Sequence, residues 1–435
     1  MVWQIESLTN VANSGIFCNT PWYELHIYWD GSLGICCQES HKLHDGRYNI
    51  ATTSIAEWFN SEPVRNFRQQ ILGNSPVSAC SKCYHEEASG SMSRRIRSNQ
   101  KSAIFTQAFN DSFKQSPGRK HFDISGSTNS HPVDIHIDLG NYCNLACKMC
   151  NAQASSRIAS QEVKWGNKSA EPYIGTDWTR DQLIWNSFKQ QLLTIPGLNN
   201  IHFMGGETLL TDRFEDLVDW LTTHDRFDVC LSFVTNGTVY KPALIKKLQK
   251  FRRVGIEISI ETVDEHNAYQ RQGTDTSLVL DNIDLYAQLG NAVEVCLRPA
   301  VSALTIGYHA GLINYALNKN LNIKSLLVTD PRFLAVEILP NKVKTQYLQT
   351  FISLNNQLSS YCSNDYNSMD PNRVNENLAQ HVKTCVNMLL TPTPADSEQQ
   401  LQSMVDHCRR WDQVYQLDAR TLYPELLEIW DQYGY

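Results

Sequence analysis

The sequence predicts an α/β protein, a partial barrel of six parallel strands alternating with helices and preceded by a small β-hairpin module. Three observations carry that expectation. Strand-like runs recur beyond Pro132, at 134–139, 200–204, 229–235, 255–260, 293–297 and 325–328. Amphipathic stretches such as 212–223 and 242–251 lie between them and are long enough for right-handed crossovers. Upstream, residues 23–29 and 33–37 flank Asp30-Gly31, a dipeptide suited to a tight hairpin turn.

A chain of 435 residues has the length of two or three domains. Its 42% hydrophobic and 19% charged residues exclude wholesale disorder and a fibrous repeat. The net charge of -7 argues against broad nucleic-acid binding. Residues 1–15 show no basic region leading into an apolar core. No run reaches the ~18 apolar residues of a membrane span, so the expectation is a soluble, cytoplasmic chain.

The organisation read along the chain is a hairpin module over 1–87, a polar linker over 88–130, the barrel over 131–331 and a mostly helical extension over 332–435. The linker sets Arg94, Arg95, Arg97, Lys101, Lys114, Arg119 and Lys120 against only Asp111 and Asp123. It reads as a solvated connector, with a substrate-gripping arm for an acidic partner as the alternative.

Thirteen cysteines fit a disulfide framework poorly when no secretory signal is seen, because a reducing compartment keeps thiols free. Metal or cluster ligation suits their grouping better. Cys18, Cys36, Cys37, Cys80 and Cys83 form one group and Cys143, Cys147 and Cys150 another, while Cys230, Cys296, Cys362, Cys385 and Cys408 read as packing residues. In the second group the thiols are separated by three and then two residues, so one short loop can wrap a compact centre. A closed zinc site needs four ligands, and no fourth follows nearby. An iron–sulfur cube held by three thiolates leaves one iron open to a small molecule.

This loop resembles the signature of radical S-adenosylmethionine (radical SAM) enzymes, in which the open iron of a [4Fe-4S] cluster chelates the cosubstrate. Met149 stands where that family commonly has an aromatic residue, and its thioether is expected to pack on adenine. Gly205-Gly206-Glu207 is similar to the family's methionine-binding element, with Thr208 where proline is common. Thr235 and Asn236, ahead of Gly237, resemble a family turn near the cosubstrate. Ser259, Glu261 and Arg271 match the polar residues and arginine that contact its ribose and carboxylate. These positions follow successive strand ends, where parallel sheets bind ligands. Asn282, Arg298 and Ser302 are further candidates.

Cys18, Cys36 and the pair Cys80 and Cys83 resemble the auxiliary-cluster module called SPASM or, in its shortened form, twitch. Cys37 is an alternative to Cys36. Four thiolates would complete a second [4Fe-4S] cluster with no open iron, and a structural zinc knuckle is the other reading of the same four.

The resemblance implies reductive cleavage of S-adenosylmethionine to a 5′-deoxyadenosyl radical and hydrogen abstraction from a peptide or protein in a maturase-type modification. The alternative substrate is a small sugar, nucleoside or amino-acid metabolite, and a flavodoxin or ferredoxin is the implied reductant. Readings from other classes are an iron–sulfur electron carrier and a zinc-supported interaction protein. Anaerobic metal analysis separates them: roughly eight irons per chain are expected for two cubes, or four irons and one zinc if the first group is structural. Protein without iron would remove the resemblance's basis.

Overall fold

The structure, a computed structural model, describes residues 15–39, 43–44, 46–88, 93–99, 125–129, 131–290, 293–324, 326–358 and 374–435. Lys101, Lys114, Arg119, Lys120, Asp111, Asp123 and Cys362 lie outside the described residues.

The strands are β1 (Glu24–Ile27), β2 (Leu33–Gly34), β3 (Asp134–Asp138), β4 (Ala146–Cys147), β5 (Asn200–Met204), β6 (Cys230–Thr235), β7 (Arg253–Ile258), β8 (Arg271–Gln272), β9 (Val293–Leu297), β10 (Ala300–Val301), β11 (Asn322–Ile323) and β12 (Leu326–Leu327). Eight of them form one sheet in the order β11-β9-β7-β6-β5-β3-β1-β2. All neighbours in it are parallel except the β1–β2 hairpin. This is the α/β fold of a partial barrel with an N-terminal module.

Helices Gln182–Thr194, Asp212–Thr223, Pro242–Leu248, Thr276–Ala287 and His309–Lys319 make the crossovers. Several start where a short polar side chain takes up free backbone N–H groups, as Asp181 does for Leu183 and Ile184 and Asp275 for Ser277 and Leu278. Alternate strand residues point to opposite faces. Ile135, Ile137, Ile201, Phe203, Leu231 and Phe233 join Phe188, Phe214 and Leu217 of the helices in the core. The other face carries Glu24 and His26 of β1, Asp134 and His136 of β3, and His202 and Ser232 of the next two strands. Glu24, His26, His136 and His202 are all buried there.

Two expectations change. The hairpin is not a separate layer: Glu24 to Ile27 pair in register with Asp134 to Ile137, so β1 extends the barrel sheet. The sixth strand of the parallel series is Asn322–Ile323, beside β9, whereas the 325–328 run supplies β12, which pairs with β10 outside the main sheet. A single apolar cluster runs from Phe17 to Trp430, so hairpin module, barrel and extension share one core.

The connector reading also changes where the chain is described. Residues 94–99 are helical, and Arg94 pairs with the buried carboxylate of Glu24 while Arg95 pairs with Glu87 and donates to the Phe17 carbonyl at 2.9 Å. An unpaired carboxylate at the 1% exposure of Glu24 would cost several kcal/mol, roughly 3–5, which is what draws Arg94 in from the polar segment. No helix among the described residues is long and apolar enough to cross a membrane.

The extension docks through helices Asn341–Leu358, Val374–Leu390 and Ser397–Tyr415. Within it, His381 faces His309 of the barrel, Nε2 to Nε2 at 2.6 Å, and His309 Nδ1 meets the Glu261 carbonyl at 3.1 Å. Burial lowers both imidazoles, His309 to about 4, with His309 adding to the effect on His381. Folded-state values below the ordinary 6.5 mean that the stability is fully present above that pH and is lost as pH falls toward 4. Between pH 7 and pH 5 the unfolding free energy is expected to drop by about 2 kcal/mol on account of His309 alone. Denaturant midpoints check this: replacing both residues with Gln should flatten the drop, and an unchanged slope would refute it.

Candidate functional site

The three-cysteine loop begins where β3 ends and is seated by backbone contact. Gly205 and Gly206 follow β5 with φ of 84° and 48°. A Cβ on Gly205 would stand 2.4 Å from the Gly140 carbonyl oxygen, and one on Gly206 2.0 Å from that of Tyr142. Only glycine tolerates both the conformation and the approach. The Glu207 N–H then donates to the Tyr142 carbonyl at 2.8 Å. The Gly-Gly-Glu element thus clamps the start of the loop.

Glu207 itself is turned into the protein. Its carboxylate accepts from the Asn236 N–H at 2.6 Å, the Leu209 N–H at 3.0 Å and the Thr235 hydroxyl at 2.8 Å. The carboxylate thereby braces two strand ends. Asn236 reaches the loop by donating to Asn144 Oδ1 at 2.8 Å, Asn144 donates to the Thr238 hydroxyl at 3.0 Å, and Asn282 holds the Gly237 carbonyl at 2.8 Å.

Arg271 is drawn to the loop by strand pairing, since β4 and β8 are antiparallel with Cys147 opposite Arg271. Its guanidinium donates to Glu261 at 2.8 Å and stands 3.7 Å from the Cys147 sulfur. Glu261 is fully buried and also accepts from the Ala300 N–H. It therefore orients Arg271. Arg298 is paired with Glu257, and Ser302 accepts no ligand-facing position, being buried with its N–H on Thr305. Ser259 and Met149 remain partly exposed beside the loop's frame, Met149 against the main core.

The thiols sit in a low-dielectric setting. Burial pushes Cys143 up to about 12, Cys147 and Cys150 also rise through burial, and the neighbouring cysteines add to the rise at Cys143 and Cys150. Three such sulfurs ionise readily only when a cationic centre balances them.

The first cysteine group converges too. Cys18, Cys36, Cys80 and Cys83 line one small pocket, with Glu39, Arg94 and Arg95 in its wall. Cys37 is not part of that lining and faces His26 and His136.

Sequence reasoning missed what covers the loop. The Lys148 ammonium is buried, donates to the Tyr269 carbonyl at 2.8 Å and lies 3.6 Å from the Tyr269 ring centroid. From helix Ser397–Tyr415, His407 meets the Lys148 carbonyl at 3.2 Å and Trp411 packs on Ala146 and Ile158. The asparagines at 141 and 144, interleaved with the cysteines, were the available signal for loop bracing.

The profile of the Radical SAM superfamily matches residues 137–301, and that of an iron–sulfur cluster-binding domain, SPASM, matches residues 18–84. The chain is 26% identical over 161 residues, 37% of its length, to the sporulation killing factor maturation protein SkfB of Bacillus subtilis (strain 168). It is 26% identical over 177 residues, 38% of its length, to molybdenum cofactor biosynthesis protein 1 of Dictyostelium discoideum. The matches span 33% and 25% of those relatives' own length. The crystal structure of Streptococcus suis SuiB bound to S-adenosylmethionine aligns with 77% of this chain and 68% of that one, at 10% identity and a TM-score of 0.33.

The loop's seating is testable at Gly206. Gly206→Ala forces a methyl group onto the Tyr142 carbonyl, and iron per chain is expected to fall by about four atoms, one cluster's content. Unchanged iron would show that the close approach is dispensable. The paired profile matches, set on this sheet and its two cysteine groups, identify the chain as a radical SAM enzyme with an N-terminal SPASM domain, whose cofactors are a [4Fe-4S] cluster with S-adenosylmethionine and an auxiliary iron–sulfur cluster.

Proposed function

We propose that this enzyme abstracts a hydrogen atom from a peptide or protein substrate in a maturation reaction. In this reading Cys143, Cys147 and Cys150 hold the catalytic cluster, and Cys18, Cys36, Cys80 and Cys83 hold the auxiliary one. The observation that carries it is the convergence of the Gly205–Gly206 clamp, the Thr235–Asn236 turn and the Glu261–Arg271 pair on one three-cysteine loop. When bound, the cluster and S-adenosylmethionine supply a 5′-deoxyadenosyl radical.

The chain's own residues bind, orient and exclude water. Gly205 and Gly206 seat the cysteine loop at a strand end by letting its backbone approach theirs. Arg271, held by Glu261, keeps a positive charge beside Cys147 where a carboxylate and thiolates gather. Lys148, His407 and Trp411 close the loop's outer side. A four-thiolate auxiliary site has no open iron and serves electron transfer or pocket shape. Reduction by a flavodoxin or ferredoxin and a cytoplasmic setting belong to the same reading, supported by the free state of the described cysteines.

The peptide substrate is supported by the presence of a SPASM domain and by the name of one relative, a maturation protein. A second reading, a small polar metabolite, is favoured by the buried polar face of the sheet, where His136 and His202 stand 4.8 Å apart between ring centroids and Glu257 pairs with Arg298 and Lys324.

Anaerobic reconstitution, chemical reduction with S-adenosylmethionine and mass spectrometry of 5′-deoxyadenosine form the test. Cys147→Ala is expected to abolish product. Product stimulated by the peptide fraction of a size-fractionated extract, and lost after protease digestion, supports the first reading. Stimulation confined to the low-mass fraction overturns it in favour of the second, and no 5′-deoxyadenosine from cluster-loaded enzyme overturns both.

A further inference from the structure

We propose that His26, Cys37 and His136 form a third metal site, beside the first cysteine group, that takes one divalent ion of borderline softness such as Zn²⁺. The parallel pairing of β1 with β3 places His26 directly opposite His136, their rings 6.2 Å apart between centroids. Cys37 arrives on the return of the hairpin, three residues past β2. One ligand atom from each of the three lies within 4.8 Å of the others, and all three residues are buried or half-buried.

Hydrogen bonding marks the same place. His26 is 2% exposed, yet neither ring nitrogen makes a well-aligned hydrogen bond; its polar neighbours are the Asp138 carboxylate, 3.4 Å from Nε2, and the Cys37 thiol. His136 Nδ1 and Glu24 Oε1 are buried beside it and also without partners. Buried polar groups in folded proteins are nearly always hydrogen-bonded, and one left bare is destabilising. One nitrogen from each imidazole, beside one thiol, is what a single ion would satisfy.

Charge and donor type agree. The carboxylates of Glu24, Asp134 and Asp138 surround the histidines, whereas Arg94, which pairs with Glu24 and lies 3.3 Å from His136 Nε2, is the cation in contact with them. A divalent cation offsets the surplus. Two imidazoles and a thiol select zinc-like ions over magnesium or calcium. At bond lengths of about 2.0–2.3 Å a tetrahedral ion sets its ligands roughly 3.3–3.8 Å apart, within small side-chain adjustments of this group.

The rival assignment puts Cys37 on the auxiliary cluster in place of Cys36; Cys36 lines the four-cysteine pocket, whereas Cys37, whose sulfur lies within 4.8 Å of that of Cys36, is outside the lining and also reaches the two histidines. The test uses the cluster-loaded enzyme equilibrated with Zn²⁺ and passed through a desalting column, with zinc and iron counted by mass spectrometry and the zinc shell read by X-ray absorption. About one zinc per chain with mixed nitrogen and sulfur donors is expected. His26→Gln, His136→Gln and Cys37→Ala should each lower retained zinc at least about tenfold with iron per chain and circular dichroism unchanged. No retained zinc, an all-sulfur shell, or equal zinc in variants and wild type overturns the site. Loss of iron in correctly folded Cys37→Ala overturns it as well and assigns Cys37 to the auxiliary cluster. These readouts do not depend on turnover, so they stand apart from the substrate question.

Discussion

The parallel pairing of Glu24–Ile27 with Asp134–Asp138 is the constraint on which the site's geometry depends. Parallel neighbours cannot be joined by a tight turn, so the chain must leave β1, travel through the hairpin, the helices at 55–59 and 62–72 and the polar segment, and return to start β3. That excursion carries four cysteines, and the pairing returns them to the flank of the strand from which the three-cysteine loop departs. Two separate metal-binding stretches thereby share one hydrogen-bonded frame, and sliding one relative to the other would break the register of the whole sheet edge.

Around this frame, buried charge is organised in pairs rather than excluded. Arg271 with Glu261, Arg94 with Glu24, and Arg298 and Lys324 with Glu257 each place a cation against a carboxylate at low exposure. Such pairs add little net stability over apolar packing, because desolvation offsets most of the attraction, but removing one partner strands the other. Their value lies in position. Glu261 leaves Arg271 one orientation beside Cys147, and Arg94 anchors the polar segment to the underside of the hairpin.

The chemistry of the site was legible because it is local in sequence. Cysteine spacing, Gly205-Gly206 and the order of polar residues at strand ends survive without any knowledge of tertiary contacts. What escaped was non-local. Nothing near residues 23–29 announces a parallel partner more than a hundred positions away, and two-residue pieces such as β11 and β12 carry too little periodicity to be told apart. Side-chain direction escaped as well: Glu207 and Glu261 sit at the expected positions, yet both spend their oxygens on protein donors. Arg94 belonged to a run that composition alone renders as solvated, and only the buried Glu24 shows why it is not.

The helix that covers the three-cysteine loop comes from the far end of the chain: the contact between His407 and Lys148 spans 259 residues. Trp411 of the same helix packs on Ala146 and Ile158, so the loop that Gly205 and Gly206 clamp at its start depends for its outer cover on a segment beyond the barrel.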